Sequence, residues 1–130
     1  MRGVKAYQKT AITTSDPMDL LVRLYDGFLR HGHQAQELLG QGQRGPAGQA
    51  LSKAIAIVNE LQVSLQRATN EEFTDRLSAV YTFVIQELVQ ANLRGDPERL
   101  SDVIRIMSEL RDAWAQAAAG LRSGRAQMVG

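Results

Sequence analysis

The chain has 130 residues, 44% of them hydrophobic and 22% charged, and no cysteine, so we expect one hydrophobic core and exclude disulfides, thiolate metal sites and a cysteine nucleophile. The net charge of +1 combines two basic ends, 1–15 and 122–130, with a body, 16–121, that carries 10 basic and 14 acidic residues. Because an acidic body repels phosphate backbones, these charges argue against nucleic acid as a partner.

The first helix is predicted to begin at Asp16-Pro17. An acceptor side chain at the N-cap, followed by proline at the first helical position, is a typical start signal. Apolar residues then recur at spacings of three and four from Leu21 to Leu39, which indicates one continuous stripe. Residues 1–15 precede this helix and are predicted to form a flexible, loosely docked arm.

The second and third helices follow a glycine-rich loop at 40–45. The second is predicted to run from near Pro46 to about Arg67. Thr69 and Glu72 have the spacing of a capping box, which predicts the start of the third helix. Gly95 marks its end, because glycine is common where helices stop.

The fourth helix is predicted to start at Asp96-Pro97, which repeats the first start signal, and to fade after Gly120. Residues 122–130 would then form a flexible basic tail. No segment alternates between apolar and polar residues as a β-strand would. Because four helices joined by short loops favour antiparallel neighbours, we predict an all-α, antiparallel up-and-down four-helix bundle over 16–121 with an N-terminal arm.

The sequence offers no catalytic site. His31 and His33 are the only histidines, and two residues apart on a helix they point about 200° apart, so they cannot share a metal ion. Asp26 has no histidine or lysine partner at catalytic spacing, and no glycine loop follows a strand as phosphate binding requires. We therefore predict that the protein is not an enzyme and uses no cofactor or metal.

Neither a signal peptide nor a membrane span is predicted. The first fifteen residues are basic but lack the apolar core of a signal peptide. The longest apolar run elsewhere, 54–58, is far too short to cross a bilayer. We expect a cytoplasmic protein without membrane insertion.

The third predicted helix carries more apolar surface than a bundle core requires. Its main face includes Tyr81 and Leu88, while Ile85 and Val89 widen the apolar arc to about 180° and Phe83 lies beyond it. A bundle helix needs a stripe only somewhat wider than 100°. The extra residues are either covered, by the arm or by ordinary packing, or they form a groove for another chain.

Seven motifs in chain order together resemble one known family. They are Tyr7-Gln-Lys-Thr with Ile12-Thr-Thr-Ser-Asp-Pro, Leu20-Leu-Val-Arg-Leu-Tyr-Asp-Gly27, Leu61 to Leu65 in a Glu-Leu-x-x-Ser-Leu context, Leu77-x-x-x-Tyr81 with Leu88-x-x-Ala-Asn92, and Leu110-Arg-x-x-Trp114. The family is that of the flagellin export chaperones, FliS. The match covers residues 7–118, so it is far more specific than any single motif.

The resemblance implies a cytosolic chaperone that works without ATP or metal. Such a chaperone binds the C-terminal segment of flagellin, prevents premature polymerisation and delivers flagellin to an export gate protein of the flagellar type III secretion apparatus. The alternative is a homo-oligomeric adaptor or signalling module, whose surplus apolar face pairs with its own copy. A weak homodimer is compatible with either hypothesis.

The resemblance also implies which residues bind flagellin. Some come from the arm and the helix motifs. Leu24 and Tyr25 are more typical of a core, with the Tyr25 hydroxyl reaching its rim, and Trp114 is predicted to be a core residue. Tyr7 could instead pin the arm to the body. The surplus apolar residues of the third helix complete the predicted set, which is Tyr7, Ile12, Leu24, Tyr25, Asp26, Tyr81, Phe83, Ile85, Leu88, Val89, Asn92 and Leu93.

Overall fold

A computed structural model describes residues 17–66 and 70–129, the side chains of 125–129 excepted. Within these ranges the chain forms helices and no strand. The helices are α1 (Pro17–Gly40), α2 (Arg44–Leu65), α3 (Glu71–Arg94) and α4 (Arg99–Val129). The predicted all-α class is confirmed, while the predicted arm, 1–15, lies outside the described residues.

The helices form an antiparallel square. Both α1 and α3 pack against α2 and α4, so α1 and α3 face each other across a diagonal. Gln36 near the end of α1 bonds Ser101 near the start of α4, whereas Asp19 at the start of α1 pairs with Arg122 late in α4. Each end of α1 thus lies beside the opposite end of α4, so the two helices are antiparallel. This arrangement confirms the predicted up-and-down four-helix bundle.

The ends of α3 follow local capping chemistry. The side chain of Asn70 accepts a hydrogen bond from the backbone N–H of Phe73 at 3.1 Å, so Asn70 is the N-cap. The predicted N-cap, Thr69, is therefore wrong by one residue, because asparagine caps a helix as well as threonine does. Thr69 itself lies outside the described residues. Gly95 ends α3 as predicted, in the left-handed conformation with φ of 62°.

Arg44 ties the start of α2 to the end of α3. Its guanidinium donates hydrogen bonds to the backbone carbonyls of Asn92, at 2.5 Å, and Leu93, at 3.2 Å. A Cβ on Gly95 would lie 2.6 Å from Nη1 of Arg44, so glycine leaves the space that this arginine occupies. The contact fixes the C-terminal half of α3 relative to α2.

Helix α4 is longer than predicted. It continues through Gly120 to Val129, so the expectation that it fades after Gly120 is wrong. Each isolated glycine costs a helix only about 1 kcal/mol relative to alanine, and the alanines and arginines around Gly120 and Gly124 favour the helix. The ion pair between Arg122 and Asp19, at 2.7 Å, also holds this extension against α1.

The core runs the length of the bundle and receives large side chains from every helix. No polar or charged residue of the described part is fully buried apart from the tyrosines, whose rings belong to this core. The largest fully buried side chains are Tyr25, Phe28, Leu51, Val58, Leu61, Tyr81, Val84, Leu88, Leu100, Val103 and Met107. The bundle thus has a filled interior without the surplus apolar residues of α3.

Candidate functional site

Helix α3 exposes large apolar side chains in addition to its buried stripe. Val89 is 41% exposed, Leu93 is 68% exposed and Phe83 is 42% exposed, while Ile85 is partly buried against the core. In the part of the chain that the structure describes, the surplus apolar side chains predicted for this helix are therefore exposed. Cover by the N-terminal arm stays a hypothesis, since the arm lies outside them.

Ile85, Val89 and Leu93 form one line, which we call the α3 strip. Residues four apart are neighbours on a helix surface, so these three side chains adjoin. The strip borders α2, because Ser78 on the same side of α3 donates a hydrogen bond to Oε1 of Gln62 at 3.0 Å. Asn92, which is exposed, lies beside Gly48 at the other end of the strip.

Phe83 does not belong to this strip. At 100° per residue it points about 120° away from Val89 and about 160° away from Ile85. It lies instead on the side of Glu87, whose carboxylate pairs with Arg99 of α4 at 3.4 Å. The structure therefore divides the predicted apolar residues of α3 between two faces.

An apolar cavity, which we call the end cavity, opens at the end of the bundle where α1 begins and α2 ends. Its volume is about 390 Å³. A smaller hollow of about 230 Å³ adjoins it between α3 and α4, beside Ala113 and Ala117. The end cavity is lined by Pro17, Met18, Leu21, Ser64, Leu65, Phe73, Leu77, Tyr81 and Trp114.

Sequence reasoning missed this cavity. Phe73 has the phase of a core residue, but it lies in the first turn of α3, where α1 and α2 supply no further layer to cover it, and it is exposed. Trp114, predicted to be core, is only partly buried and meets Phe73 edge to face, with ring centroids 6.1 Å apart. A core-phase aromatic residue in the first turn of a helix is the signal that could have indicated an open end.

Tyr25 and Tyr81 meet inside the bundle. Their hydroxyl oxygens are 2.5 Å apart, and both side chains are almost fully buried. Burial raises the pKa of both tyrosines; for Tyr25 the Tyr81 hydroxyl and the Trp114 indole oppose that rise. Both hydroxyls therefore keep their protons at neutral pH. The expectation that the Tyr25 hydroxyl reaches the rim is wrong, because it bonds Tyr81 across the diagonal between α1 and α3.

The other residues of the predicted set have varied surroundings. Leu88 is fully buried in the core, and Leu24 is partly buried against it. Asp26 is exposed and pairs with Arg111 of α4 at 2.8 Å, and this hydrogen bond raises the pKa of the Arg111 guanidinium. Tyr7 and Ile12 lie outside the described residues. The binding role of every one of these residues stays a prediction.

The described ranges contain neither a membrane-spanning helix nor a cluster of metal-binding side chains. No helix there is both long enough and apolar enough to cross a membrane. Across 17–66 and 70–124, no three histidine, aspartate or glutamate side chains cluster in a way that could hold a metal ion. Independence of cofactors and metals remains a prediction from the sequence.

Known proteins resemble this chain over most of its length. A family profile described as flagellar protein FliS matches residues 1–121. The flagellar secretion chaperone FliS of Salmonella typhimurium is 35% identical over 119 residues, covering 88% of each chain. That of Bacillus subtilis is 32% identical over 120 residues, covering 92% of this chain and 89% of the relative. That of Escherichia coli is 32% identical over 121 residues, covering 89% of each.

Proposed function

Because the chain belongs to the FliS family of flagellar secretion chaperones, we propose that it binds the C-terminal segment of flagellin in the cytoplasm. Bound in this way, flagellin is kept from polymerising early and is delivered to an export gate protein of the flagellar type III apparatus. The coarser role, that of an export chaperone in flagellum assembly, follows from the family itself.

The exposed α3 strip is the observation that supports flagellin binding most strongly. Val89 and Leu93 are exposed on a helix whose core positions, such as Leu88, are already filled. A disordered segment that becomes helical on binding needs an apolar surface to cover its own apolar face. The strip offers such a surface without any loss of core packing.

The end cavity is a second apolar surface on α3, separate from the strip, because at 100° per residue Phe73 points about 160° away from Val89. From Phe73 at the cavity to Leu93 at the end of the strip is twenty residues, or about 30 Å of helix. A segment that touches both places must also pass around α3, so it needs more than nine extended residues, and one straight helix cannot reach both. This length favours a protein segment over a small molecule as the occupant.

The expected energetics suit a chaperone that must also release its client. Fully burying an exposed apolar side chain contributes roughly 1.5–3 kcal/mol, so partly exposed residues such as Val89 contribute less. Ordering the client gives back several kcal/mol. Several such contacts along α3 and the end cavity therefore permit micromolar to nanomolar binding.

The rival hypothesis is a homo-oligomeric adaptor, in which a second copy of the chain covers the same strip. We test the two by size-exclusion chromatography with multi-angle light scattering. The full chain, mixed with monomeric flagellin of the same bacterium, should form a complex with one copy of each protein. Flagellin lacking its C-terminal segment is the control and should elute separately. A stable homodimer that refuses intact flagellin would overturn the proposal.

A further inference from the structure

An unpaired side-chain amide lies beside Leu93 at the end of the α3 strip. Asn92 is exposed, and its side chain has no hydrogen-bond partner among the described residues. Its main-chain carbonyl, by contrast, already accepts a hydrogen bond from Arg44. A side-chain amide donates from its NH2 group and accepts at its oxygen, so Asn92 offers both functions to a partner at one place.

Gly48 of α2 leaves the approach to this amide open. A Cβ at position 48 would lie 3.6 Å from Oδ1 of Asn92, which is an ordinary van der Waals contact, so the packing of α2 against α3 does not require glycine there. Glycine inside a helix is less stable than alanine, and one of its uses is to let another main chain come close. A glycine that the fold does not need therefore lies beside an unpaired amide.

A client that covers the α3 strip would also cover this amide. Val89 lies one helical turn before Asn92 and Leu93 follows it, and both are exposed. Covering the two apolar side chains would remove water from Asn92 as well. An amide buried without partners would weaken binding, whereas an amide that finds both partners on the client would not.

The groups that match this amide belong to extended main chain. Inside a helix each main-chain N–H bonds a carbonyl of the same helix, so a second copy of this chain, helical over most of its described ranges, presents little free main chain. The three aliphatic side chains of the strip are also too small for a stable dimer, which buries about 800 Å² per partner, since even an aromatic residue buries only about 150–250 Å². A segment that is disordered before binding has free main chain along its length.

We propose that Gly48 and Asn92 form a docking point for extended main chain, at which the Asn92 amide donates to the carbonyl oxygen and accepts from the N–H of one residue of the flagellin segment. This inference rests on the proposed function. The docking point sets the register of the segment on the strip without reading its side chains. It also makes the client non-helical at this place, in keeping with a client that cannot reach the end cavity as one straight helix.

The first test compares Gly48→Leu with its matched control, Gly120→Leu, in the full chain. Gly120 also lies within a helix, and a Cβ there meets no atom within 4 Å. Both substitutions should raise the unfolding temperature, because leucine favours a helix over glycine. Calorimetric titration with the flagellin C-terminal peptide should show about tenfold weaker binding for Gly48→Leu, whose side chain blocks the amide, and binding within about twofold of wild type for Gly120→Leu.

The second test, Asn92→Leu, separates hydrogen bonding from apolar contact. Leucine enlarges the apolar strip, so apolar contact alone would strengthen binding, whereas loss of the amide should weaken it about tenfold. Asn92 is exposed, so the variant should keep the wild-type unfolding temperature; Gln116→Leu, on an exposed position of α4, is the control. A peptide with one ester in place of an amide bond should identify the docked residue, because that ester weakens binding to wild type and little more to Asn92→Leu.

Unchanged or tighter binding by Gly48→Leu and Asn92→Leu would overturn the inference and leave the proposed function intact. A loss of affinity in only one of these two variants would overturn it as well, because the docking point needs both the open approach and the amide. Failure of the wild-type chain to bind the peptide would instead overturn the proposed function and this inference together.

Discussion

Replacing Val89 with aspartate is expected to weaken flagellin binding at least about tenfold, because the carboxylate would be desolvated against the apolar face of the client. Val89 is 41% exposed in the free chain, so the aspartate side chain can stay in water there and the bundle should keep its helix content and unfolding temperature. Isothermal titration with the flagellin C-terminal peptide measures the first effect, and circular dichroism measures the second.

Leu20→Asp is the matched control for this prediction. Leu20 is 46% exposed, similar to Val89, but it lies on α1 rather than on α3. Its substitution should leave the affinity unchanged. Phe83→Asp adds a second comparison, and a loss as large as that of Val89→Asp would show that the segment covers both faces of α3. Unchanged binding by Val89→Asp would remove the α3 strip from the binding surface.

Leu88→Asp, one residue away, is expected to unfold the bundle. Leu88 is fully buried, and no cationic side chain reaches the interior of the described bundle to pair with a new carboxylate. Burying an unpaired charge together with the lost packing costs several kcal/mol, which is comparable to the whole stability of a domain of this size. Far-ultraviolet circular dichroism should show lost helicity at room temperature.

Val89→Asp serves as the comparison for Leu88→Asp, because both place the same charge on the same turn of α3. If the two variants retain equal helicity, then Leu88 is not a core residue and the division of α3 into buried and exposed faces is wrong. If both unfold, Val89 also belongs to the core.

Local start and stop signals predicted several helix ends, but the start of α4 predicted at Asp96-Pro97 is wrong, because α4 begins at Arg99. Pro17 and Gly95 mark boundaries in the structure as they do in the sequence, since each acts through its own backbone. The end of α4 differs from the prediction because the helix-favouring residues around Gly120 outweigh the cost of that glycine. That boundary depends on a sum of small propensities and on the contact of Arg122 with α1, which periodicity does not report.

Helical phase also predicted which apolar residues of α3 are in surplus. It could not reveal that Tyr25 bonds Tyr81, because that contact depends on the relative height of two helices across the diagonal. The end cavity was missed for a related reason. Among the described residues Phe73 is exposed and Trp114 only partly buried at this end, and that depends on how the helix ends are placed relative to one another, which no single helix encodes.

Hydroxyl-radical footprinting of the full chain, alone and in complex with flagellin, tests most directly whether a client covers the apolar surface of α3. We predict that oxidation of Val89, Leu93 and Phe73 falls in the complex, while oxidation of the similarly exposed Leu20 stays the same. A complex that forms with Val89 and Leu93 still fully oxidised would contradict the assignment of the α3 strip as the client surface.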